Sequence, residues 1–165
     1  MKSARYHLAQ INVARTLYPL DNPLMKDFVE RLDEVNALAE NSRGFIWRLK
    51  ADGGDASSYI RAFDDDRMLI NMSVWESIET LKEYVYRSHH GKVYGARKQW
   101  FEPSDKSPLA LWWIPVGELP DVEDGLSRLE LLRDNGASPA AFTFKEPFQA
   151  PSEAAVFEGD RSLIM

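Results

Sequence analysis

An alternating stretch at residues 68–75 constrains the fold more than any other part of this chain. Successive side chains of a β-strand point to opposite faces of a sheet, so the alternation predicts a strand with two unlike faces. The apolar face would carry Met68, Ile70, Met72 and Val74, and the mixed face Leu69, Asn71, Ser73 and Trp75. An amide, a hydroxyl and an indole suit a partly enclosed cavity better than open water. We therefore expect this strand to form one wall of a pocket.

The spacing of apolar residues predicts the remaining elements. Alternation indicates further strands over residues 6–14, 45–50 and 109–116, and spacings of three and four residues indicate helices over 25–40 and 78–88. A second helical piece near 93–101, a helix over 120–136 and a short strand over 140–144 are also predicted. The order strand, helix, strand, strand, helix, strand builds a ferredoxin-like α+β fold, an antiparallel sheet with both helices on one face.

In such a fold the sheet face opposite the helices is bare. We expect that face to carry the polar residues of the first and third strands, namely Gln10, Asn12, Asn71, Ser73 and Trp75. These side chains are too amphipathic for bulk water and too polar for a dry core. A second copy of the chain would cover them, so we expect a homodimer.

Composition narrows the class of protein. A chain of 165 residues fits one domain, which we place at residues 1–144, followed by an irregular tail over 145–165. A net charge of −6 without a run of Lys and Arg argues against nucleic-acid binding. The absence of cysteine excludes disulfides, thiolate zinc sites and iron–sulfur clusters. Neither a signal peptide nor a membrane span is visible, so we expect a cytoplasmic protein.

Six segments together resemble a bacterial family of unknown function. They are residues 8–15, 44–49, 71–77, 86–89, 100–101 and 111–115. That family is similar to the dimeric α+β barrel superfamily, which includes cofactor-independent antibiotic-biosynthesis monooxygenases, haem-degrading enzymes and stress-responsive proteins. The resemblance covers about residues 6–144 and implies a dimeric α+β barrel. As an activity it implies oxygenation without a metal or flavin.

The mixed sheet face supplies the candidate binding residues Asn12, Asn71, Ser73 and Trp75. An unsatisfied buried polar group costs about 1–3 kcal/mol, so the two amides must bond to each other, to loop backbone, to water or to a ligand. Tryptophans are more often core residues than ligand platforms. We expect Trp75 to stack on a flat ligand because its strand neighbours are polar.

Two arginines complete the predicted binding set. Arg48 is placed on the pocket side of its strand, where it would hold a carboxylate or enolate oxygen or else form an internal salt bridge with a Glu or Asp. Arg97 follows His89 by about two helical turns. Both are candidate substrate-binding residues.

His89 is the acid–base candidate, beside Tyr86 and the break between two helical segments. A histidine there would accept a proton from a phenol or enol, ligate haem iron, or cap the last turn of the helix. Three histidines without a thiol do not predict a zinc site, and the acidic run at 64–66 lacks the ligand spacing of a calcium loop. We expect no metal and no obligatory cofactor, with haem as the alternative.

Three functions remain open from the sequence. In the leading hypothesis, a small aromatic or polyketide-like molecule lies between the sheet and the helices and is oxygenated without a cofactor. His89 or a water would take a proton from it, Asn12 and Asn71 would hold the resulting oxyanion, and Trp75 would position the ring. The alternatives are a non-catalytic ligand-binding or stress-linked dimer, and haem binding through His89.

Overall fold

A computed structural model describes residues 5–50, 65–89 and 97–151 of the chain. The strands are β1 (Tyr6–Arg15), β2 (Phe45–Arg48), β3 (Met68–Trp75) and β4 (Leu109–Pro115). The helices are α1 (Lys26–Glu40), preceded by a short 3-10 turn (Pro23–Met25), α2 (Ile78–His89), the short α3 (Arg97–Trp100) and α4 (Val122–Asn135). Among these described residues, no helix combines the length and the apolar character needed to cross a membrane.

The four strands form one antiparallel sheet in the order β2-β3-β1-β4. The central strands β1 and β3 pair Gln10 with Ser73 and Asn12 with Asn71 directly across the ladder. This strand order and the βαββαβ sequence of elements are those of a ferredoxin-like sheet. The predicted α+β fold class is confirmed, with the strand 68–75 found at the residues predicted for it.

The polar sheet face is not bare, which corrects the expectation above. Residues of α1 and α2, among them Leu32 and Tyr84, lie over the same cavity as Asn12 and Asn71 of the sheet. The two helices therefore cover the polar face, and the observation from which a homodimer was predicted disappears.

Helix α4 covers the opposite, apolar face. Leu129 and Leu132 of α4 belong to the same buried cluster as Ile11 and Met72 of the sheet. At Gly125 the helix lies so close that an added Cβ would meet Ile11 Cδ1 at 2.8 Å. Both faces of the sheet are thus covered by helices of a single chain.

The start of α2 is fixed by contacts that the sequence encodes locally. Ser77 Oγ accepts a hydrogen bond from the Thr80 backbone N–H (3.1 Å), while the Ser77 N–H donates to Thr80 Oγ1 (3.2 Å). This is the reciprocal pattern of a capped helix N-terminus. Gly44, with φ of 81°, packs directly against Thr80 and positions β2 beside the helix. The side chains that α2 holds over the sheet depend on this junction.

The segment after α4 differs from its prediction. Residues 140–144 do not form a strand; instead Phe142 and Leu111 make an isolated pair of backbone hydrogen bonds on the outer edge of β4. Further on, the Trp113 indole N–H donates to the Phe148 carbonyl at 2.9 Å. The segment consequently lies along the sheet edge and brings Phe144 into the cavity lining.

Candidate functional site

A cavity of about 550 Å³ lies between the polar sheet face and helices α1 and α2. This volume is within the range of ordinary small-molecule sites. The described lining contains no Asp, Glu, Lys, Arg or His. Its residues are Gln10, Asn12, Val13, Ala14, Phe28, Leu32, Val35, Asn36, Leu69, Ile70, Asn71, Ser73, Leu81, Tyr84, Val85, Ser88, Phe101, Pro108, Leu109 and Phe144.

A hydrogen-bonded network of side chains forms the floor of this cavity. Gln10 Nε2 donates to Asn71 Oδ1 and to Ser73 Oγ, both at 2.7 Å. Asn12 Nδ2 donates to Gln10 Oε1 (2.9 Å) and to Asn71 Oδ1 (3.2 Å). Trp75 Nε1 donates to Ser73 Oγ at 2.8 Å. The five side chains project from neighbouring positions of β1 and β3, because alternate residues of paired strands share a face.

The network leaves polar atoms with capacity for a further partner. Within the described part of the chain, Asn12 Oδ1 and Asn71 Nδ2 make no hydrogen bond, and the Ser73 O–H has no acceptor. Asn12 and Asn71 are half-buried and line the cavity. An amide has one acceptor oxygen and two donor hydrogens, so the floor offers a free acceptor beside free donors.

Trp75 lies behind the floor and does not line the cavity. Its indole is completely buried and stacks on Tyr84 of α2, with ring centroids 5.0 Å apart and planes inclined by 26°. Tyr84 is the aromatic residue that reaches the cavity from this pair. None of the other tryptophans is among the described lining residues, because they are packed in the clusters around the sheet.

Burial raises the pKa of the Tyr84 phenol to about 12. The ordinary pKa of a tyrosine phenol is about 10. The pKa is higher in an apolar site because such a site does not stabilise the charged phenolate as water does. Tyr84 is therefore a neutral donor near neutral pH rather than a base.

The raised pKa of Tyr84 predicts a loss of stability in alkali. Below pH 10 Tyr84 is protonated in both the folded and the unfolded chain, and its contribution to stability is fully present. Between pH 10 and about 12 the phenol ionises only in the unfolded chain, so this stability is lost as the pH rises through about 12. Two pKa units correspond to about 3 kcal/mol. Denaturant unfolding across this pH range should show a smaller loss for Tyr84→Phe than for the unmodified protein.

Three of the predicted binding residues meet in the cavity, and Arg48 does not. Asn12, Asn71 and Ser73 line it, and the two amides also bond to each other, which was the structural alternative to ligand binding. Arg48 shares the polar face through its register with Ser73, but its Nε donates to Glu40 Oε1 at 3.1 Å. The predicted internal salt bridge therefore describes Arg48.

His89 and Arg97 are placed only by their backbone. His89 is the last residue of α2, directly after Ser88 of the cavity lining, and Arg97 is the first residue of α3. Their side chains lie outside the described part of the structure. The assignments of His89 as base, cap or haem ligand and of Arg97 as a binding residue stay predictions.

Of the acidic run at 64–66, Asp64 lies outside the described residues and Asp65 is used in an ion pair. Arg15 Nε donates to Asp65 Oδ2 at 2.8 Å, and Arg15 Nη1 reaches Glu102 at 2.8 Å. The hydrogen bond from Arg15 lowers the pKa of Asp65. Across the described ranges, no group of three or more His, Asp or Glu side chains is arranged to hold a metal ion.

Gln10, Tyr84 and Asn36 line the cavity but were not predicted as site residues. Gln10 was assigned to the polar face without a role, yet it donates to both Asn71 and Ser73. Tyr84 follows the helical spacing of a core residue, which conceals its position over the floor. Asn36 could have been found from the sequence, because its amide interrupts the apolar stripe of α1.

Fold and cavity together define the class: an α+β protein with a ferredoxin-like sheet and an uncharged, amide-floored cavity beneath two helices. The chain belongs to the family described as "Domain of unknown function (DUF3291)", which matches residues 7–158. A search of curated proteins gives no match to the chain.

Proposed function

We propose that this protein binds a small, uncharged molecule that has an apolar body and one polar end. The observation that carries the proposal is the contrast within the cavity, where amide and hydroxyl groups of β1 and β3 face apolar side chains of α1 and α2. The apolar walls gain free energy by excluding water from a ligand of matching character. The floor atoms without a partner, Asn12 Oδ1 and Asn71 Nδ2, would bond to its polar end.

Because the described lining of the cavity carries no charged side chain, we expect the ligand to be neutral. Transfer of an ion from water into an apolar site without a counter-ion is strongly unfavourable. No counter-ion is available among the described lining residues, since Arg48 is paired with Glu40 outside the cavity. A neutral ligand avoids this cost.

Oxygenation of the bound molecule, the activity that the resemblance implies, requires a base in addition to a binding site. Oxidation of a phenol by O₂, in which a ring C–H becomes C=O and H₂O is released, begins with loss of the phenolic proton, and Tyr84 holds its own proton up to about pH 12. The role would fall to His89 or a water, as the resemblance implies. The homodimer rests on the resemblance alone, and haem binding rests on the resemblance and on the chemistry of His89.

Binding of the neutral dye N-phenyl-1-naphthylamine tests the proposal. Its fluorescence should rise saturably on addition of the protein, and its sulfonated analogue 1-anilinonaphthalene-8-sulfonate should bind about tenfold or more weakly, because the same rings then carry a charge. Leu32→Trp places an indole in the cavity and should weaken dye binding. Ala37→Trp, which adds the same indole on the exposed side of α1, should not.

Equal affinity for the two dyes, or equal binding by the two tryptophan variants, would contradict a neutral ligand in this cavity. Thermal unfolding of both variants confirms that they are folded. Oxygen uptake measured with phenols and quinols, with and without His89→Gln, separates an oxygenase from a protein that only binds. Uptake that depends on His89 supports catalysis, and its absence leaves binding as the function.

A further inference from the structure

We infer that the ligand carries an N–H directly beside a C=O on the edge of a ring, as in a cyclic amide, and that Asn12 and Asn71 bind this edge together. This inference rests on the proposed function and specifies the chemical class of the ligand. It is drawn from the hydrogen-bond inventory of the cavity floor, where two neighbouring amides each retain one polar atom without a partner in the described structure.

The two amides are placed to act as one unit. Asn12 and Asn71 are direct partners across the β1–β3 ladder, and Asn12 Nδ2 lies 3.2 Å from Asn71 Oδ1. Each group is fixed by a second bond, since Gln10 contacts both amides. The free acceptor, Asn12 Oδ1, and the free donor, Asn71 Nδ2, therefore belong to amide groups in direct contact and open into the same cavity.

The asparagine pair keeps one free donor and one free acceptor when the side-chain amides are rotated by 180°. If Gln10, Asn12 and Asn71 all exchange oxygen and nitrogen, each contact still joins a donor to an acceptor, and Ser73 donates to Gln10 instead of accepting from it. Asn12 then offers the free donor and Asn71 the free acceptor. In both arrangements the two asparagines together present one free donor and one free acceptor, so a matching ligand must supply an acceptor and a donor side by side.

This pattern discriminates between ligand classes. A carboxylate or ketone supplies only acceptors and would leave the free amide oxygen without a donor, and a protonated amine, which supplies only donors, would leave the free amide N–H without an acceptor. An open-chain secondary amide is trans, so its N–H and C=O point in opposite directions and cannot meet two adjacent amides. A ring holds the amide cis and directs both groups to one edge. The flat ring would lie among Phe28, Tyr84 and the aliphatic residues of the walls.

Comparison of 2-quinolone with coumarin tests the inference, since the two share a bicyclic ring and differ by N–H against a ring oxygen. The unmodified protein should bind 2-quinolone about tenfold or more tightly, because coumarin leaves an amide oxygen without a donor. Asn12→Leu should bring the ratio of the two affinities close to one if Asn12 holds the free oxygen, and Asn71→Leu should do so in the reversed arrangement. The other asparagine variant removes the donor to the C=O group, which both rings have, and should weaken both by a similar factor. Leu32→Ala, a change in the apolar wall, should weaken both ligands by a similar factor and preserve the ratio.

The outcomes distinguish this inference from the function on which it rests. A ratio near one in the unmodified protein, with N-phenyl-1-naphthylamine still bound, overturns the cyclic amide and leaves the neutral cavity ligand intact. Failure of both rings while the dye binds has the same meaning. Failure of all three compounds overturns the proposed function and the inference together. The ratio in the unmodified protein decides the matter even if an asparagine variant does not fold.

Discussion

Replacing Gly44 by alanine should lower the free energy of unfolding by about 3 kcal/mol or more. Gly44 has φ of 81°, a conformation that costs a residue with a side chain about 1–2 kcal/mol. Its new methyl group would also overlap the Cβ, Cγ2 and Oγ1 atoms of Thr80, and such overpacking costs about 1–3 kcal/mol. Chemical denaturation followed by circular dichroism measures the loss.

Thr80 cannot move aside cheaply, which is why the loss should be large. Its Cβ moves only with the backbone of α2, and its backbone N–H and Oγ1 both bond to Ser77 at the start of that helix. The Glu76 N–H also donates to the Gly44 carbonyl at 2.8 Å, so strand β2 and the helix start are tied at the same point. A shift there would displace Tyr84 and Ser88 from their places over the cavity.

Gly117→Ala is the matched control for this prediction. Gly117 also has a positive φ, 95°, but an added Cβ would have no atom within 4 Å. Its replacement should therefore cost only the backbone strain, about 1–2 kcal/mol. Equal losses for the two variants would show that the Gly44–Thr80 contact relaxes freely and does not hold the junction.

The strands and helices could be predicted from the sequence, because periodicity is a local property of the chain. The alternation at 68–75 gave the strand Met68–Trp75, and the spacing of apolar residues gave α1, α2 and α4. The polar face was also correct as a set, since Asn12, Asn71 and Ser73 do share one face of the sheet.

What covers each face could not be predicted in the same way. Alternation states which residues lie together but not which helix lies on them. The helix that covers the apolar face, α4, is the last of the described elements. The polar face was therefore expected to be bare, although α1 and α2 lie over it.

Side-chain length explains where the Trp75 indole lies. Its Cβ lies on the cavity side, but the indole is long enough to bond to Ser73 and stack under Tyr84, so it is buried behind the floor. The pairing of Arg48 with Glu40 depends on the short return of the chain from α1 to β2, only a few residues long. That proximity was readable from the sequence, whereas the choice of partner was not.

Replacing Ser73 by alanine should lower the free energy of unfolding by about 2–4 kcal/mol. Ser73 Oγ accepts from the Trp75 indole N–H and from Gln10 Nε2, and its residue is 6% exposed. A buried donor that loses its acceptor costs about 1–3 kcal/mol. Trp75 is completely buried and has no second acceptor in the described structure, whereas Gln10 keeps its bond to Asn71. Most of the loss should therefore come from the indole.

Ser88→Ala is the control for removal of a hydroxyl group from the cavity lining. Trp75→Phe tests whether the indole N–H is the donor that Ser73→Ala leaves unpaired. Ser88 also lines the cavity, but its hydroxyl donates within its own helix to the Val85 carbonyl, so its removal should cost less than about 1 kcal/mol. In a double-mutant cycle, Ser73→Ala should cost about 1–3 kcal/mol less when Trp75 is already phenylalanine, because no indole N–H remains to be stranded. A Ser73→Ala loss no larger than that of Ser88→Ala would mean that water in the cavity replaces the hydroxyl. Water would then hydrate the side chains of the cavity floor, and the floor would not present the fixed donor and acceptor that the proposed ligand requires.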